Sequence, residues 1–188
     1  MKVIFLDHDG VICLGSEFGS RFKKQKRSKA ESIADDSISV LERFDNFNTK
    51  AIKILNKILE ETNAEIVISS DWKKWASLEE LGLFYESQGI IKKPMALTPN
   101  LNDFDEYSDS LFRYKGWYER ARILEIEHWL KNNPVDSWVA IDDMQLGEYI
   151  NVDGATNGGL KNFVHTPRLY EGIKQSGMKE KIINFLNS

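Results

Sequence analysis

The chain has 188 residues, 41% of them hydrophobic, enough for one core-forming domain with at most a modest insertion. A net charge of −4 argues against a general electrostatic grip on nucleic acid or an anionic membrane, and leaves room only for a local basic patch. The single cysteine, Cys13, cannot form an internal disulfide and points to a reducing, cytoplasmic setting. The apolar start is broken by Asp7 and Asp9 too early for a signal peptide, and no other run approaches a membrane span.

The first element, "KVIFLDHDGVIC", is a strand predicted from Val3, Ile4, Phe5 and Leu6, running straight into Asp7, Asp9 and Gly10. Asp-Gly between apolar runs is also a hairpin signal, so this stretch by itself allows either a turn or a strand end armed with two acids. Residues 14–46 are polar and irregular, carry the basic cluster Arg21, Lys23, Lys24, Lys26, Arg27 and Lys29, and read as an insertion with some helix over 38–44. In "NTKAIKILNKILEETN", Ala51, Ile52, Leu55, Ile58 and Leu59 share one helical face, with Asn48 placed to cap it. "AEIVISSDW" follows as a β-branched run suited to a buried strand. "SLEELGLFYESQG" then offers a capping box, Ser77 with Glu80, and a stop at Gly89.

Residues 90–116 carry few regular signals and read as a long connection. A helix is predicted over about 117–131, ending before Pro134. "SWVAIDD" and "KNFVHT" are two further strands, and "GMKEKIINFLN" is a closing helix. Strands alternating with helices imply a mostly parallel sheet covered on both faces, which a hairpin at Asp9-Gly10 fits poorly. The expected fold is therefore an α/β, Rossmann-like three-layer sandwich. It forms a single domain over residues 1–188, with a polar insertion at about 14–46 that makes at most a small cap.

Three of these strands end in chemically able residues: "FLDHD", "VISSD" and "AIDD". In an open parallel sheet, ligands bind beyond the carboxyl ends of the strands, so the three ends converge. Asp7, Asp9, Asp142 and Asp143 would then lie close together. That much negative charge is not tolerated unpaired at low dielectric. A hard divalent cation resolves the conflict, and Mg²⁺ fits best, held by a few carboxylates and a substrate phosphate.

These motifs together, "FLDHDGVI", a serine after "EIVIS", and "WVAIDD", resemble the haloacid dehalogenase (HAD) superfamily of aspartyl-phosphate enzymes. "AEIVISSDW" and "ARILEIEHWL" are also similar to phosphatase modules of RNA-repair enzymes. The resemblance implies that Asp7 is the nucleophile, and that Asp9 is first the general acid for the leaving oxygen and then the base for water. Family members that do not hydrolyse phosphate esters commonly have another residue at the position of Asp9, so its presence favours a phosphatase. Ser69, or Ser70 beside it, would hydrogen-bond a phosphate oxygen. A cation must answer the charge of the transferring phosphoryl group. Arg122 is the first choice for it, with Lys115 and Arg120 as alternatives. Asp142 and Asp143 would complete a Mg²⁺ site with Asp7 and the Asp9 carbonyl, and which of the two touches the metal stays open.

His8, between the acids, is expected to point away and to pack or hydrogen-bond. His165 and Thr166 end a strand on the same edge of the sheet and could serve the rim of the site. The basic cluster is either a solvated loop face or a guide for a polyanionic substrate. The sequence thus predicts a Mg²⁺-dependent phosphomonoester hydrolase whose substrate is a phosphorylated small molecule, a nucleotide or a nucleic-acid end. No membrane association or protein partner is evident. A phosphotransferase or mutase on the same fold, or a non-catalytic phosphate-binding module, is the rival.

Overall fold

Val3 and Phe5 leave the first strand on one side and Ile4 and Leu6 on the other, and all four are fully buried. A strand buried on both faces needs two covering layers, and the chain supplies them. The structure, a computed structural model, describes residues 1–15, 38–101, 117–150, 156–168 and 170–188. Strand β1 (Lys2–Leu6) lies at the centre of a five-stranded sheet with β2 (Glu65–Ile68), β3 (Ala96–Leu97), β4 (Ser137–Asp142) and β7 (Phe163–His165), ordered β3-β2-β1-β4-β7. Every pairing within it is parallel. The hairpin reading of Asp9-Gly10 is thereby excluded.

Helices α2 (Thr49–Thr62), α3 (Leu78–Ser87) and α5 (Met178–Asn187) cover the face that carries Ile4, Leu6, Ile66, Ile68, Val139 and Ile141. Helix α4 (Trp117–Asn132) covers the other, packing Ile123, Ile126 and Trp129 against Val3, Phe5, Val67 and Ala140. Trp129 meets Phe5 edge to face with ring centroids 5.3 Å apart. The caps fall where the sequence puts them. Asn48 accepts from the amides of Lys50 and Ala51, and Ser77 and Glu80 exchange both capping-box hydrogen bonds. Gly89, at φ +82°, follows α3 in the left-handed region that glycine tolerates best.

Two features lie outside the sequence expectation. The stretch 90–116, read as a connection, contains β3, a two-residue edge strand too short to show any periodicity. A separate antiparallel hairpin, β5 (Glu148–Ile150) with β6 (Thr156–Gly158), follows β4. The bulk of the polar insertion, including the basic cluster, lies outside the described residues. Its end forms the short helix α1 (Val40–Arg43), after which Phe44 and Phe47 enter the core. Among the described residues, no helix is long and apolar enough to cross a membrane.

From β1 the chain builds outward through β2 to β3, then crosses the opposite face through α4 to β4. The direction of winding reverses between β1 and β4, and such a switch point opens a crevice at the carboxyl ends of the two strands. The register aligns Leu6 with Ile68 on one side and with Ile141 on the other. The residues that follow these three, Asp7, Ser69 and Asp142, therefore emerge side by side at that crevice.

Candidate active site

Asp7 and Asp142 are 6% and 1% exposed, and Asp143 is half-buried. Asp7, Asp142 and Asp143 each present a carboxylate oxygen, and these oxygens lie within 4.8 Å of one another. Arg122, buried on the inner face of α4, reaches into the group. Its Nη1 lies 3.3 Å from Asp7 Oδ1 and 3.8 Å from Asp142 Oδ2, and its Nη2 lies 3.6 Å from Asp71 Oδ1.

One guanidinium does not balance this cluster. Burial first, and then Asp142, push the Asp7 carboxyl well above its ordinary range, against the opposing pull of Arg122. Burial likewise raises Asp142 to about 7. Asp143 is raised by burial and by the nearby Asp9. Arg122 is held protonated above its ordinary value because Asp142 and Asp7 outweigh the cost of burying it. Asp142 Oδ1 accepts from the Met144 amide at 2.9 Å, but its buried Oδ2 meets no hydrogen-bond donor among the described residues. A buried carboxylate oxygen without a hydrogen-bond donor costs free energy, and a hard cation among three carboxylates is a partner that suits it. The donor set fits such an ion.

Tight turns bring the acids together. The carbonyl of His8 accepts from the amides of Val11, Ile12 and Cys13, which curls the chain directly after Asp7. Gly10, at φ +71°, lies so close to Asp143 that a Cβ there would stand 2.6 Å from its Oδ2. Gly10→Ala is therefore expected to displace the Asp143 carboxylate and weaken divalent-cation binding by tenfold or more, on the order of the effect of altering a group that orients a ligand. Titration calorimetry with Mg²⁺ checks it, and wild-type affinity would refute it.

Ser69 follows β2, and its buried Oγ is without a hydrogen-bond partner among the described residues, as suits a group that awaits a ligand. Ser70 is turned to another task, its Oγ capping the 3₁₀ turn Asp71–Lys74. Arg122 is the cation that contacts Asp7. Arg120 is half-buried on the same helix, and Lys115 lies outside the described residues. His8 turns away from the acids: its Nε2 pairs with the Tyr85 hydroxyl at 2.7 Å, and burial lowers its pKa to about 3. His165 Nε2 bonds the Asp143 carbonyl at 2.8 Å, while the Thr166 amide donates to the Asp142 carbonyl and its hydroxyl to the Gly10 carbonyl. Both therefore brace the acidic loops from behind.

The Asp9 carboxylate lies outside the group of three. Its Oδ2 accepts from the indole Nε1 of Trp72 at 2.9 Å. The sequence reading missed Trp72, and it missed the buried pair Lys73–Glu125, in which Lys73 also donates to Thr98 Oγ1 and the Pro99 carbonyl. Burial lowers the Lys73 pKa to about 8 despite Glu125. Glu125 lies three residues beyond Arg122, so this pair ties the segment after β2 to the helix that delivers the arginine. The i, i+3 spacing of Arg122 and Glu125 puts them on one side of the helix, but nothing local pointed to Lys73.

Residues 3–167 match the family described as the HAD domain in Swiss Army Knife RNA repair proteins. The chain belongs to this family. Membership in the HAD family agrees with the parallel sheet and with acids at the ends of β1 and β4, and it brings a phosphatase-type hydrolase fold. No curated protein and no solved structure matches the chain.

Proposed function

We propose that this HAD domain hydrolyses phosphomonoesters through an aspartyl-phosphate on Asp7. The observation that carries the reading is the placement of Asp7 at the switch point, buried, in contact with Arg122, and grouped with Asp142 and Asp143. Asp7, Asp142 and Asp143, with the Asp9 carbonyl, would hold Mg²⁺. When bound, the cation supplies the counter-charge that lets a phosphate dianion approach buried carboxylates.

The chain's own groups then divide the work. A carboxylate oxygen of Asp7 attacks phosphorus, which splits one difficult hydrolysis into two displacements. Arg122, already beside Asp7 Oδ1, answers the negative charge spread over the phosphoryl oxygens. The buried Ser69 hydroxyl donates to one of them. Asp9 gives its proton to the leaving oxygen and later takes one from the attacking water.

For the substrate we propose a phosphorylated nucleotide or nucleic-acid end. The family's RNA-repair description supports this, and so does the basic cluster Arg21, Lys23, Lys24, Lys26, Arg27 and Lys29 in an otherwise acidic chain. The test is phosphate release, with Mg²⁺ and no added acceptor, from phosphorylated metabolites, nucleotides and oligonucleotides bearing 3′- or 5′-phosphates. Release is expected from at least one nucleotide or oligonucleotide. Transfer only when an acceptor alcohol is supplied would make the protein a phosphotransferase, and no turnover of any ester would overturn the enzymatic reading.

A further inference from the structure

The chemistry just proposed gives Trp72 no part, yet this side chain touches the proton-transfer acid directly, its indole N–H donating to Asp9 Oδ2. The indole is firmly held. It is 1% exposed, stacks on Phe44 with centroids 4.1 Å apart, has Phe47 nearly parallel at 5.4 Å, and takes the His8 ring edge-on at 4.5 Å. Its backbone is fixed as well, since Trp72 lies in the 3₁₀ turn that Ser70 caps and Trp75 closes through a 2.9 Å bond to the Trp72 carbonyl. Asp9, in contrast, is exposed. The terminal torsion of an aspartate is broad, and a rigid hydrogen-bond donor narrows the orientations that an exposed carboxyl group samples.

We infer that Trp72 is a positioning residue for proton transfer by Asp9. The inference rests on the phosphatase reading. In the first step the Asp9 proton passes to the bridging ester oxygen as that oxygen's bond to phosphorus breaks and the bond from Asp7 forms. In the second, Asp9 takes a proton from water as the water oxygen bonds to phosphorus and the bond to Asp7 breaks. Both transfers happen on the same side of the phosphoryl group, so a carboxyl plane fixed once serves both. The aromatic stack that fixes it includes Phe44 and Phe47, which tie the end of the polar insertion to the catalytic acid.

General-acid help matters most for a poor leaving group and little for a good one, and kcat/KM reports only the steps up to loss of that group. The experiment compares kcat/KM for an alkyl phosphate and for p-nitrophenyl phosphate in wild type, Trp72→Phe, Asp9→Asn and the double variant. Phenylalanine keeps the ring stack but cannot donate. Trp72→Phe is expected to lose about tenfold or more on the alkyl ester, part of the full general-acid effect, and about threefold or less on the aryl ester. Added to Asp9→Asn it should cost nothing further on the alkyl ester, because it acts through that carboxylate. Equal losses on both esters, a further loss in the double variant, or wild-type rates on both would overturn the inference while leaving the phosphatase reading intact. A wild-type protein that hydrolyses neither ester removes that reading, and this inference with it. Where Trp72→Phe does not fold, the indole N–H resonance of Trp72 in the otherwise native protein decides. It should move on Asp9→Ala, and an unchanged resonance refutes the contact.

Discussion

Asp7→Asn is expected to abolish phosphate release while making the metal-free protein more stable. The amide has nearly the same shape as the carboxylate but cannot attack phosphorus, so turnover should fall to background rather than by a moderate factor. The stability gain follows from the site's electrostatics. Burial and Asp142 raise the Asp7 pKa above its unfolded value, so above the usual carboxylate range Asp7 weakens the metal-free fold. Replacing it with a neutral group removes that penalty, and Arg122 keeps Asp142 and Asp71 within 4 Å. A higher melting temperature in EDTA, joined to zero turnover, is the signature of a residue kept for chemistry at the expense of stability. Asp9→Asn should behave differently, retaining the nucleophile and losing roughly 10²–10⁴-fold in rate. Initial-rate assays and thermal melts on both variants check the pair, and substantial release by Asp7→Asn would sink the mechanism.

How much of this was legible in the sequence depended on the range of each signal. The three strand ends could be read because a buried parallel strand is a continuous apolar run, and a carboxylate at its end breaks the pattern visibly. Convergence of Asp7, Ser69 and Asp142 followed from the general geometry of parallel sheets, and the observed register agrees. The capping box at Ser77 and the Asn48 cap are local, and they were readable for that reason. What escaped depends on long-range packing. Trp72 reaches Asp9 across 63 positions, and Lys73 reaches Glu125 across 52. Arg43 falls in a stretch that reads as polar insertion, yet it is buried, donates to the Ile38 and Trp75 carbonyls and pairs with Glu80 at 2.8 Å. Nothing in its neighbours' periodicity separates a buried arginine from a solvated one. Strand β3 is invisible for another reason, since its two residues gain their conformation entirely from pairing with Val67 and Ile68.

Removal of divalent cations should stop turnover entirely, and Mg²⁺ should stabilise the fold more strongly as pH rises. Asp7, Asp142 and Asp143 all have folded pKa values raised above their unfolded ones, Asp142 to about 7. The metal-free folded state therefore binds more protons than the unfolded chain between the usual carboxylate range and about 7, and its stability falls as pH rises through that window. A cation competes with those protons for the same oxygens. At about pH 5.5 it must displace them, whereas at about pH 8 Asp142 has given up its proton and fewer remain to be displaced. His8 works in the opposite sense, because burial keeps it neutral while the unfolded chain takes up a proton below its ordinary pKa. Its contribution is the same with and without metal, so it cancels when melting temperatures in Mg²⁺ and in EDTA are subtracted at each pH. That difference should be small at the lower pH and clearly larger at the higher one, and turnover lost in EDTA should return with added Mg²⁺. A melting difference that does not vary with pH, or full activity in EDTA, would show that Asp7, Asp142 and Asp143 do not hold the ion.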